Sequence, residues 1–225
     1  MSWQDLRKVN PRLIYASNSG FGQDGPIAKR GGVDQIVQGM SGLMTVTGFP
    51  GSPPLRTGIA VGDLTAGNLL ALGIMMAIYE RDRTGRGRWV QTSLLEALIM
   101  MMDFQASRYL IDGYVPKPAG NMHPTGDTPG VYPASDGHFN IAGGSQRIFI
   151  LLCGVLGTKE WLEPGHKWST ERQRVKDREA LQAAIGEITR TQPMDYWIKA
   201  MEAGGVPCGP VYPMDLSLIH ISEPT

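Results

Sequence analysis

The chain has 225 residues, 42% of them hydrophobic, with 21 basic and 21 acidic side chains, a composition that suits a globular protein with a sizeable core. A net charge of zero removes the electrostatic case for nucleic acid or an acidic membrane surface as partner. The two cysteines, Cys153 and Cys208, are far apart and lack metal-ligand spacing, so they read as reduced thiols of a cytoplasmic protein rather than a disulfide scaffold.

In chain order, residues 1–20 read as the end of a helix followed by a strand, Arg12–Ser17, that runs into a Gly-rich turn. This is an α/β signature. Residues 31–44 predict a helix with Ile36, Val37, Met40 and Leu43 on one face. Phe49-Pro-Gly-Ser-Pro-Pro54 is a loop. A second helix, about Leu64 to Tyr79, has almost no polar face and is expected to be buried. Arg81, Arg83, Arg86 and Arg88 then mark a solvated turn. Trp89–Ser93 reads as a short strand and 94–110 as another helix, with Met100, Met101 and Met102 as core filler. Residues 115–130 form a Gly/Pro-rich loop. Val131–Tyr132 and Phe139–Ala142 predict a hairpin turning at Ser135–Gly137. Gly143–Gln146 reads as a turn with Ser145 capping the next helix. Residues 146–203 read as helices of alternating charge in a separate, smaller domain, and Gly205–Tyr212 as a loop with a returning strand. No internal repeat is present.

Met1-Ser-Trp-Gln-Asp5 is polar and no apolar stretch follows it, so no signal peptide is expected. Charged residues interrupt the apolar helices at 64–79 and 94–102 too soon for a membrane span. Among the four histidines, His123, His138, His166 and His220, none pairs at ligand spacing, and no metal site is expected.

One carboxylate stands out. Asp63 lies in Gly58-Ile-Ala-Val-Gly-Asp-Leu-Thr-Ala-Gly67, and the pattern puts it at the N-cap of the apolar helix. There it accepts backbone N–H groups and feels the positive end of the helix dipole. Gly58, Gly62 and Gly67 let backbone or ligand come close. An aspartate so presented is either an ordinary cap or a nucleophile or base.

Further segments accompany it: Asn10-Pro-Arg-Leu-Ile-Tyr15 through Gly22-Gln-Asp-Gly25, Arg30-Gly-Gly-Val-Asp34, Thr84-Gly-Arg-Gly-Arg88, Gly120-Asn-Met-His-Pro124, Tyr132-Pro-Ala-Ser-Asp-Gly137 and Gly204-Gly-Val-Pro-Cys208. In this order and spacing the chain resembles the class III CoA-transferase family, the CaiB/BaiF group. That group includes formyl-CoA and carnitine CoA-transferases and α-methylacyl-CoA racemases. The resemblance runs from about Leu6 to Asp215. It implies an α/β fold: the remnant of a Rossmann-like large domain at 1–114, the loop 115–130, and an incomplete small α+β domain at 131–215. In the family a dinucleotide-fold region precedes the Asn10 segment, and two ring-like chains interlock as a homodimer. The chain is therefore expected to be a fragment, weakly active or inactive alone. Residues 216–225 do not resemble the family. They read as a non-native tail, a translated sequencing adapter, and His220 carries no weight.

The resemblance also implies chemistry. Asp63 would attack an acyl-CoA thioester, giving a mixed anhydride and CoA thiolate. The thiolate returns to give an enzyme thioester and a free acid, and a second carboxylic acid takes the CoA by the reverse steps. The aspartate must be ionised, which a helix start favours. Backbone N–H groups of Gly-rich turns would hold developing oxyanions. Loop 119–130, with Gly120, Asn121 and His123, matches a glycine-rich flap that closes over the aspartate, and His123 is either a substrate contact or a loop histidine without a role. Gln23 and the segment Arg30, Gly31, Gly32 and Val33 match the CoA-contact region. Coenzyme A enters as substrate, with no tightly bound cofactor. Racemases of the family carry a histidine where this chain has Val33, a residue that moves no proton. That departure favours transfer over the isomerase alternative. Asp34 is expected to cap the helix that follows it.

Overall fold

The computed structural model of the protein describes residues 2–222. The chain divides into two units, Met1–Gly120 and Asn121–Thr225.

Unit 1 is built on two parallel strands, β1 (Tyr15–Ser19) and β2 (Trp89–Ser93), with Tyr15 opposite Trp89 and Ser19 opposite Ser93. The Trp89 indole N–H donates to Ser17 Oγ at 2.9 Å, and the Tyr15 and Trp89 rings meet edge to face. Parallel strands need a long crossover. Here it carries α2 (Asp34–Met40), α3 (Leu43–Val46) and α4 (Val61–Thr84). A short α1 (Trp3–Val9) precedes β1, and α5 (Leu94–Met101) and α6 (Asp103–Asp112) follow β2. The expected helix at 31–44 is broken at Ser41–Gly42, where Gly42 takes φ 87°. Val37 is fully buried, but Ile36 and Met40 are exposed. The expected helix at 94–110 is likewise two helices, with Asp103 at φ 45°. Met100 and Met101 face solvent rather than filling a core.

The largest departure from expectation is α4. It runs 24 residues, well past Tyr79, and only Gly62, Ala66 and Ala77 along it are buried. Leu64, Leu72, Met75, Met76 and Tyr79 are exposed. By length and composition it is long and apolar enough to cross a membrane, which the shorter sequence-read span was not. In unit 1 it packs on β1, β2, α2 and α5. The buried core there is small: Phe21, Val37, Ala66, Leu94, Ala97 and Leu98.

Unit 2 contains an antiparallel sheet in the order β3 (Gly130–Pro133), β4 (His138–Ile141), β5 (Cys208–Pro210). The hairpin and the returning strand are as expected from sequence. Around it lie α7 (Gln146–Leu156), a 3₁₀ turn (Lys159–Leu162), α8 (Glu171–Lys176), α9 (Arg178–Thr189) and α10 (Met194–Ala203), with α11 (Met214–Ser222) last. Ser145 caps α7, accepting from the Ile148 N–H. Its core joins Tyr132, Phe139, Phe149, Leu152, Leu181, Ile185, Trp197 and Met201. Cys153 and Cys208 are free thiols, and burial pushes the pKa of both upward. Residues 223–225 of the sequence-read tail, and the side chain of His220, lie outside what is described.

Candidate active site

In α/β sheets, ligands bind beyond the carboxyl ends of the parallel strands. The chain brings three segments to that end of unit 1. β1 runs into loop 20–33, β2 runs directly into α5, and α4 starts there. The last point follows from direction. α4 ends at Gly85, a left-handed cap whose N–H donates to Arg81 O, just before β2 begins, so the helix runs antiparallel to the strands. A Cβ built on Gly73 would touch Val90, which sets the two side by side. Ten residues nearer the N-terminus, Asp63 lies roughly 15 Å further along the helix. From Val90, β2 has only about 10 Å left to its end. Asp63 therefore stands just past the strand ends.

The helix starts earlier than the pattern suggests. Ala60 is its N-cap and makes no side-chain cap bond. Asp63 is thus not the N-cap but the third helical residue, in the first turn, where a negative charge interacts favourably with the helix dipole. Its side chain is exposed. Among the described residues, no hydrogen bond or ion pair engages its carboxylate.

The capping is supplied from a distance. Asp34 Oδ1 accepts the Gly62 N–H at 2.8 Å. Asp34 therefore caps α4 rather than its own helix, whose N-cap is Val33 without a side-chain bond. Asp34 Oδ2 accepts from Gln38 Nε2 at 2.7 Å and lies 3.5 Å from Arg56 Nη2. Gln38, fully buried, also donates to Ile59 O and accepts from the Thr57 N–H at 2.9 Å. Two adjacent turns of α2 thus hold both the start of α4 and the segment leading into it. The approach is close enough that a Cβ on Gly62 would sit 3.1 Å from Asp34 Oδ1 and 3.3 Å from Leu98. Sequence reading missed Gln38 and Arg56 entirely. The signal for Arg56 was a lone charge in the Pro/Gly-rich run before Asp63.

The other expected residues of unit 1 join this region through one backbone contact. Gly20 and Gly32 press together: a Cβ on Gly20 would lie 2.5 Å from the Gly32 Cα, and one on Gly32 only 2.8 Å from the Gly20 Cα. No larger residue fits at either position. The contact brings the turn holding Gln23 beside Gly31, Gly32 and Val33, and Val33 leads directly into Asp34. Gln23 donates to Ser19 Oγ at 3.2 Å. The Arg30 guanidinium lies over the Phe21 ring at 5.8 Å. Val33 is exposed.

The loop residues divide between the units. Gly120, in unit 1, has φ 63° and donates its N–H to Gly48 O at 2.9 Å. Asn121 and His123 belong to unit 2. Asn121 O accepts the Val131 N–H, and the His123 N–H donates to Pro129 O. The His123 ring meets Thr125 through Nδ1. Within the expected flap 119–130, residues 124 and 127 are tied to α8 and α9. Arg178 donates to Pro124 O at 2.8 Å, Gln182 to Asp127 O at 3.0 Å, and Arg174 Nε to Asp127 Oδ2 at 2.6 Å. Arg174 and Asp127 are both buried. Motion of residues 124–127 would break a buried ion pair and two carbonyl contacts. The nearby Tyr132 hydroxyl donates to Thr128 O, and burial together with the Asp127 charge pushes its pKa far up. No group of three metal-ligating side chains gathers among the described residues.

Residues 1–219 match the family described as CoA-transferase family III, and the chain belongs to it. The match reaches a little beyond Asp215, where the sequence resemblance ended. The chain is 37% identical over 211 residues to the acetyl-CoA:oxalate CoA-transferase of Acetobacter aceti, covering 93% of this chain and 54% of that protein. It is 35% identical to the succinate–glutarate CoA-transferase of Agrobacterium fabrum, covering 94% and 52%. The chain spans about half the length of these curated relatives. Among solved structures, a CaiB/BaiF family protein from Brucella suis superposes with a TM-score of 0.83 at 34% identity, covering 97% of this chain and 58% of that one. The mixed helix-and-sheet fold is thus a partial CaiB/BaiF fold.

Proposed function

We propose that the full-length protein containing this chain transfers coenzyme A from an acyl-CoA to a carboxylic acid, with Asp63 as covalent nucleophile. The observation that carries this is the presentation of Asp63: exposed, in the first turn of a long helix, beyond the carboxyl ends of the parallel strands, on a helix start held by Asp34. A carboxylate with no partner to compete for it is available to attack a thioester carbonyl. The N–H groups of Val61 and Asp63 belong to the unpaired first turn, and they are donors an oxyanion or phosphate would accept. Gln23, Arg30, Gly31, Gly32 and Val33 supply contacts for coenzyme A; Gly120, Asn121 and His123 supply them from the loop. Coenzyme A is substrate, and no tightly bound cofactor takes part.

The named relatives act on oxalate, succinate and glutarate, all dicarboxylates, and we extend that acceptor class to this protein. A cytoplasmic homodimer without membrane attachment completes the reading. Nothing in the site favours the isomerase alternative, since Val33 holds the position where a second proton-transferring group is needed. In a CoA-transfer assay on the full-length protein, Asp63→Asn is expected to lower kcat by at least about a thousandfold, because the covalent route is removed. A variant retaining a tenth or more of wild-type turnover would overturn the assignment.

A further inference from the structure

Arg56 brings a charge to this site that the chemistry of Asp63 leaves unused. It stands in Pro53-Pro-Leu-Arg-Thr-Gly58, and its side chain is 45% exposed. Among the described residues its one ion pair is the 3.5 Å contact from Nη2 to Asp34 Oδ2, long for a charge-assisted hydrogen bond. Both Asp34 oxygens are already engaged at shorter range, Oδ1 by the Gly62 N–H and Oδ2 by Gln38 Nε2. Arg56 is therefore not what satisfies Asp34. An arginine offers five N–H donors in a rigid planar fork, and one loose contact leaves most of them for something else. Asp34 acts as a tether: one carboxylate holds both the guanidinium and the backbone N–H adjacent to Asp63.

We propose that Arg56 binds the carboxylate of a dicarboxylic acceptor that does not react. This rests on the transferase reading. In the second half of that reaction, one acceptor carboxylate oxygen bonds to the carbonyl carbon of the Asp63 thioester. The C–S bond breaks and CoA leaves as thiolate. The thiolate then attacks the acceptor's carbonyl carbon in the anhydride, forming the product thioester and releasing the Asp63 carboxylate. The acceptor's other carboxylate stays anionic throughout. Out of water it needs a partner, and a guanidinium fork pairs with it bidentately where a lysine would not. A monocarboxylic acid has nothing to place there.

The test compares full-length wild type, Arg56→Met and Arg56→Lys on length-matched acceptors: succinate against butyrate, and glutarate against valerate. Acetyl-CoA and butyryl-CoA serve as donors, since neither carries a second carboxylate. The donor half-reaction is read separately, as protein hydroxamate after hydroxylamine. Arg56→Met is expected to lower kcat/KM for the dicarboxylates ten- to a hundredfold, chiefly through KM. Butyrate, valerate and the hydroxamate yield should stay within twofold. Arg56→Lys should fall between, and it carries the same comparison if the methionine variant fails to fold. Equal loss on both acceptor classes would overturn the proposal and make Arg56 a structural counter-charge. So would unchanged ratios, or a wild type that prefers the monocarboxylates. A wild type that yields no hydroxamate and transfers CoA to no acceptor would instead overturn the transferase reading beneath it.

Discussion

In unit 2 the apolar side chains of α7, α9 and α10 close over the three-stranded sheet, and Phe139, Leu152, Leu181, Ile185 and Met201 have no more than a trace of exposed surface. In unit 1, α4 carries an apolar stretch long enough to cross a membrane, yet Leu72 is 58% and Met76 65% exposed. The order of unit 1 rests instead on a polar latch, Asp34 and Gln38 gripping residues 56–62. Unit 2 has a buried polar anchor too, Arg174 with Asp127, but a thick core surrounds it. The difference teaches that apolarity sets what a helix can bury, while burial itself depends on what lies across from it. An apolar face this broad is what an interaction surface looks like. Asp63, the proposed nucleophile, sits in the unit with the thinner core, so the hydrogen bonds of the latch carry a larger share of its placement.

The comparison can be broken most easily at the anchor of unit 2. Arg174→Ala leaves Asp127 charged and buried without its partner, which should cost about 3–5 kcal/mol. Urea titration would show it, and a loss under about 1 kcal/mol would mean that water reaches Asp127 freely. In unit 1, Asp34→Ala orphans the Gly62 N–H and leaves Gln38 Nε2 only its bond to Ile59 O, at a cost of about 1–3 kcal/mol. It should also lower kcat, while a control at an exposed position of α6, Leu110→Ala, leaves kcat unchanged. Activity that survives the loss of Asp34 would separate the latch from the placement of Asp63. The smallest effect is expected on the exposed face of α4. Leu72→Ala in the 225-residue chain should change stability by less than about 0.5 kcal/mol. A cost of about 2 kcal/mol or more would be a core-type loss and would show that the face is covered in solution.

Much of the framework was legible because its signals are local. A strand ending in a Gly-rich turn marked β1, Ser135-Asp-Gly137 marked the hairpin, and Ser145 marked a helix start. What failed was information carried between distant residues. Asp63 looked like an N-cap because nothing near Val61 revealed that Asp34, 28 positions away, would satisfy Gly62 and let the helix begin earlier. The glycines and prolines of loop 119–130 are visible in the sequence, while the side chains that hold Pro124 and Asp127, on Arg174, Arg178 and Gln182, lie far along the chain on α8 and α9. The break before α6 left no trace, as Asp103 takes a positive φ with neither Gly nor Pro nearby to announce it. The exposure of α4 was unreadable for a different reason: composition reports that a face is apolar, and only the structure reports what stands opposite.

The most direct test of Asp63 as a covalent nucleophile is to trap it. Full-length protein would be incubated with acyl-CoA, treated with hydroxylamine, and digested with trypsin. The peptide spanning residues 57–81 would then be sequenced by mass spectrometry. A hydroxamate on Asp63 that depends on acyl-CoA and is absent from Asp63→Asn is the predicted result. An unmodified Asp63 in protein that turns over acyl-CoA would contradict it and leave this aspartate as a first-turn charge of α4.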